Sequence, residues 1–102
     1  MGEDVVVSSH LLACEYVAFL KRIGKLSTAR FEDELGFIDW LTPAEPLFPQ
    51  YLLCLDKKTL KGADLHHLAT AVWFAEDRHS ELHFLTSDID QRAVARQLGF
   101  RV

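Results

Sequence analysis

The chain has 102 residues, 49% of them apolar and 25% charged, with a formal net charge of −4 from 15 acids against 11 Lys and Arg. That length fits one domain with a core that needs no disulfides. The negative balance excludes a generic basic nucleic-acid binder, which carries an excess of Lys and Arg, but leaves room for an acidic site that meets nucleic acid through a bound cation.

Val5-Val6-Val7-Ser8-Ser9 is a short β-branched run and predicts a buried strand. Ser8 or Ser9 then offers an N-cap. A helix follows from about His10 to Ile23, closed by Gly24. Its apolar face is Leu12, Tyr16, Phe19, Leu20 and Ile23. Ser27 or Thr28 caps a second helix to about Leu35, and Gly36 ends it. Phe37 to Leu41 reads as a strand closed by Thr42-Pro43. A helix from about Pro46 to Leu55 tolerates Pro46 and Pro49 in its first turn. Asp56 to Gly62 is a polar loop, and Ala63 to Asp77 a strong helix. Leu82 to Thr86 predicts a strand, and Asp88 caps a helix to about Leu98, ended by Gly99. Phe100-Arg101-Val102 is a last short strand. Strands alternating with helices argue an α/β fold with a mostly parallel sheet, whose ligands bind beyond the carboxyl ends of the strands.

The start Met1-Gly2-Glu3-Asp4 lacks the basic residues and apolar run of a signal peptide. Val6 stands where a myristoylation signal wants Ser or Thr. No segment reaches the ~18 apolar residues of a membrane span. These features predict a cytoplasmic chain. Cys14 and Cys54 form no C-x-x-C pair and sit in apolar helical contexts, which predicts buried free thiols.

Three acids occupy unusual places. Glu15 lies about 40° from Phe19 and about 60° from Leu12 at ~100° per residue, at the edge of the apolar face. A boundary acid, in water or paired with Arg22, is the bland alternative. Asp64 opens a helix, where an acid complements the helix dipole, yet it shares a stripe with Leu68, Ala71 and Ala75. Asp88, with Gln91 three residues on, forms a capping-box-like start at the end of a predicted strand. Together the three would stand at one end of the sheet. Clustered carboxylates repel unless a divalent cation neutralises them, and a hard cation such as Mg²⁺ takes oxygen ligands. A cation so held can activate water against a phosphodiester.

The segment from Val5 to Glu15 resembles the second strand and following helix of a PIN domain. Asp64-Leu65-His66-His67-Leu68-Ala69-Thr70-Ala71 is similar to that family's signature around its third acid. Leu85-Thr86-Ser87-Asp88, with Ala93-Val94-Ala95-Arg96-Gln97-Leu98-Gly99-Phe100, is similar to its closing acid, helix and strand. The resemblance spans essentially the whole chain, and the nearest branch looks like VapC-type toxins. It implies a three-layer α/β/α domain and a Mg²⁺- or Mn²⁺-dependent endoribonuclease. That enzyme would be a cytoplasmic homodimer silenced by a small antitoxin protein. Glu15, Asp64 and Asp88 become the catalytic, metal-holding acids, Asp90 an accessory acid, and Thr86 and Ser87 supporting hydrogen-bond donors. His67 falls where the family often has His, but a structural role is the favoured reading for it.

The family begins with a further strand ending in Asp, so the expectation is a domain whose N-terminal β-α unit and one metal ligand are missing. Asp4 precedes its strand and Ser8 is no carboxylate, so neither replaces that ligand. A catalytically dead PIN-like module that binds a partner protein is the alternative, with Trp40, Phe48, Tyr51 and Trp73 as candidate contacts. Zinc at His79-x-x-x-His83 lacks a matching second pair of ligands. A receiver domain would want a Lys after a late strand, and none is there.

Overall fold

The computed structural model describes residues 6–76 and 82–102. The chain is mixed α/β. It forms two compact units, Met1–Thr42 and Pro43–Val102. Among the described residues no helix is long and apolar enough to cross a membrane.

The first unit runs β1 (Val6–Ser9), α1 (Leu11–Arg22), α2 (Thr28–Leu35) and β2 (Ile38–Leu41). β1 and β2 pair in parallel, with Val6 opposite Ile38 and Ser9 opposite Leu41. A parallel pair needs a crossover, and the two helices supply it. The expected serine cap of α1 does not form. His10 is the N-cap, without a side-chain bond. The reason is that strand pairing runs on into His10, whose N–H donates to the Leu41 carbonyl at 3.2 Å.

The other end of α1 follows its glycine. Gly24 adopts φ 72°, which a residue without Cβ reaches at no steric cost. The Lys25 N–H returns to the Leu20 carbonyl and the Gly24 N–H to that of Lys21, the paired bonds of a Schellman end. Ser27 caps α2 by accepting from the Arg30 N–H at 3.1 Å. The expected apolar face of α1 is only partly covered. Leu20 is fully buried, Ala13 nearly so, while Phe19 and Ile23 are exposed. Aromatic rings join the layers instead: Phe31 stacks on Trp40 with centroids 6.2 Å apart, and Tyr16 reaches Phe31 at 6.4 Å.

The second unit holds α3 (Phe48–Lys57), α4 (Gly62–Glu76) and α5 (Ile89–Gln97). Pro49 sits in the first turn of α3, where its missing N–H has no helical partner to lose. The core joins Leu47, Cys54, Leu60, Leu68, Ala69, Val72, Val94 and Ala95. Ala69 and Ala95 are fully buried, and such small side chains let helices approach closely. Gly99, with φ 95°, ends α5 as Gly24 ends α1: the Phe100 N–H reaches the Ala95 carbonyl.

The strands expected at Leu82–Thr86 and Phe100–Val102 shrink to one parallel bridge between His83 and Arg101. Phe84 N–H donates to the Arg101 carbonyl at 2.7 Å and Arg101 N–H to that of Leu82 at 3.1 Å. Leu85 is 84% exposed, so its side chain gives the ladder no buried face to extend. A pairing of such short segments is marginal without a further strand.

Candidate functional site

Asp88 sits just before α5 with extended backbone, and its Oδ1 accepts from the Gln91 N–H at 2.7 Å. This is the N-cap that the sequence implies. The reciprocal half of a capping box would turn the Gln91 side chain back to the Asp88 N–H. It does not. The Thr86 hydroxyl takes that N–H at 3.1 Å, a local turn bond typical of Ser and Thr.

Gln91 is thereby released for longer reach. Its Nε2 donates to the Asp64 backbone carbonyl at 3.1 Å, and its Oε1 accepts from the Thr86 hydroxyl at 2.6 Å. Gln91 is 5% exposed, and buried polar groups of this kind need their partners. The result is one hydrogen-bonded frame that ties the first turn of α4 to the start of α5. Nothing in the sequence near Gln91 announces the Asp64 contact, since 27 residues separate the two. Its position three after a capping acid was the available signal, and it pointed to a different partner, the Asp88 N–H.

The expected site residues therefore divide. Asp64 and Asp88 are joined through Gln91. Asp64 is half-buried, and its carboxylate has no hydrogen-bond or ion-pair partner among the described residues. Thr86 belongs to the frame, while Ser87 is exposed. Asp90 points to a cation of the protein's own: its Oδ1 lies 2.6 Å from Lys58 Nζ, with both side chains about half exposed. Glu15 is on α1 in the first unit and exposed. His67 is half-buried on α4. His79 lies outside the described residues, as do Asp4 and Asp77.

Mg²⁺ is commonly held by one or two carboxylates and keeps several waters. Two acids border the frame, Asp64 through its backbone carbonyl and Asp88 through Oδ1. Among the described residues no three His, Cys, Asp and Glu side chains gather into a metal-binding group.

The second unit holds two other polar features. His66 Nδ1 and the Tyr51 hydroxyl share a hydrogen bond of 2.8 Å between α4 and α3. Burial, aided by the neighbouring His67, pushes the His66 pKa below its ordinary value. Cys54 is buried in the core, and desolvation lifts its thiol pKa to about 11. Cys14 is exposed, against the expectation that both thiols are buried.

No family model, curated protein or solved structure matches the chain.

Proposed function

We propose that the chain is a Mg²⁺- or Mn²⁺-dependent endoribonuclease of the PIN type, with a three-layer α/β/α architecture and VapC-like biology. Its partners in that reading are an RNA substrate, a second copy of itself and a small antitoxin protein. The observation that carries it is the Gln91 bridge between Asp64 and Asp88. It makes two acids, remote in sequence, part of one frame built on the buried Gln91.

In this reading Asp64 and Asp88 hold the cation. When bound, the cation neutralises charge on the phosphodiester and lowers the pKa of an attacking water. The Asp64 carboxylate is free of partners among the described residues, so its lone pairs remain available. Asp88 uses Oδ1 for the cap and keeps Oδ2 for a ligand. Gln91 and Thr86 fix where Asp88 stands. Asp90 acts as an accessory acid once it leaves Lys58, and Ser87 lends a hydroxyl. Glu15, on α1 of the first unit, is kept as a catalytic candidate on the family resemblance alone.

A labelled single-stranded RNA incubated with the full chain tests this. Cleavage in Mg²⁺ or Mn²⁺ is expected, with loss in EDTA and in Asp64→Asn, Asp88→Asn and Glu15→Gln. No cleavage under any divalent condition would refute the enzyme reading.

A second reading, a PIN-like module that binds a partner protein without catalysis, draws on α3. Phe48, Leu52 and Leu55 form a stripe at helical spacing and are exposed. Capture of a small partner that Leu52→Glu abolishes, by a chain that cuts no RNA, would favour it.

A further inference from the structure

We propose that the segment from Lys57, the last residue of α3, to Lys61 anchors the phosphate backbone of a single-stranded RNA beside the Asp64–Asp88 frame. The choice of RNA rests on the ribonuclease reading; the anchor itself rests on where the positive charge lies.

The second unit has eight acids and seven Lys and Arg, yet all three of its lysines fall at positions 57, 58 and 61. No acid interrupts that stretch. Leu60 is 9% exposed and belongs to the core cluster, so the loop is held by its one apolar side chain. Lys57, Lys58 and Lys61 are all exposed around it.

Each end of the segment is held close in sequence to one acid of the frame. Lys58 Nζ contacts Asp90, two residues beyond Asp88. The Lys61 carbonyl accepts from the Leu65 N–H at 2.8 Å, which puts Lys61 at the head of α4, three residues before Asp64. An exposed ion pair such as Lys58–Asp90 contributes little to stability, so folding does not account for the clustering. A carboxylate centre repels a polyanion, and fixed cations at its edge offset that repulsion. Each lysine–phosphate contact releases counterions from the strand.

Binding of the full chain to a fluorescent single-stranded oligoribonucleotide, in EDTA so that no cleavage occurs, tests the anchor. The measurement is Kd against salt concentration. Replacing Lys57, Lys58 and Lys61 together by Gln is expected to weaken binding about tenfold or more at low salt. The slope of log K against log salt should fall by about 2, at ~0.7 per phosphate contact. Replacing all three by Arg should keep both, which separates lost charge from lost folding. Changing Lys21 and Lys25 of the first unit to Gln should leave both nearly unmoved. An unchanged slope in the Gln triple, an equal loss in the Lys21/Lys25 variant, or no RNA binding by the parent chain would overturn the proposal. Binding that depends on the three lysines, in a chain that never cuts RNA, would refute the nuclease reading and leave the anchor standing. Cleavage with a slope indifferent to the lysines would do the reverse.

Discussion

Gln91 donates its side-chain amide to the backbone carbonyl of Asp64 at 3.1 Å while its own backbone N–H caps on Asp88. One buried residue thus holds two acids that lie 24 positions apart in the chain. Replacing it with Leu keeps the volume but leaves the Asp64 carbonyl and the Thr86 hydroxyl without their partner. The expected loss is about 1–3 kcal/mol, read as a lower urea midpoint with an unchanged m-value. A variant as stable as the parent would mean that water replaces both bonds.

Asp88 has two roles that substitution separates. Asn caps helices as well as Asp does, whereas Ala forfeits about 1 kcal/mol. Asp88→Asn should therefore melt with the parent and Asp88→Ala below it. Both should lose any stabilisation by Mn²⁺, which acts on the folded state by mass action. Equal Mn²⁺ shifts in the parent and in Asp88→Asn would remove Asp88 from the ligand set.

Stability should fall with acid on account of His66. Burial, then the His67 charge, holds its folded-state pKa below the ordinary ~6.5 of the unfolded chain. Well above pH 7 both states are unprotonated and the group contributes nothing. As pH drops through ~6.5, the unfolded chain takes up the proton first, and stability declines until the folded-state pKa is passed. Thermal melts from pH 7.5 to 5 should show a shallower decline in His66→Gln. Superimposable profiles would exclude His66 as the source.

The two thiols should react on different timescales. Cys14 is exposed, while Cys54 is buried with its pKa raised to about 11, and the thiolate is the reactive form. A disulfide reagent at pH 8 should modify one thiol per chain quickly and the second only after urea is added. Cys14→Ser should remove the fast phase. Two fast equivalents would show that the Cys54 core opens readily.

Local structure was legible in the residues because its causes are local. Gly24 and Gly99 end helices, since each supplies the positive φ that the paired end bonds require. Ser27 and Asp88 begin helices, since their side chains reach an N–H three residues on. The α/β class followed from alternation of β-branched runs with helical stripes. Three things waited for the tertiary structure. The parallel register of Val6 on Ile38 depends on a crossover through two helices. Whether Leu82–Thr86 forms a full strand depends on neighbours, and here it keeps a single bridge at His83. The capping box at Asp88 looked closed on itself, yet the Thr86 hydroxyl reached the Asp88 N–H and left Gln91 free to reach Asp64. Spacing along the chain sets which groups can meet within a turn. Only packing sets which of several competing partners a buried amide takes, because that choice is made among groups the sequence leaves far apart.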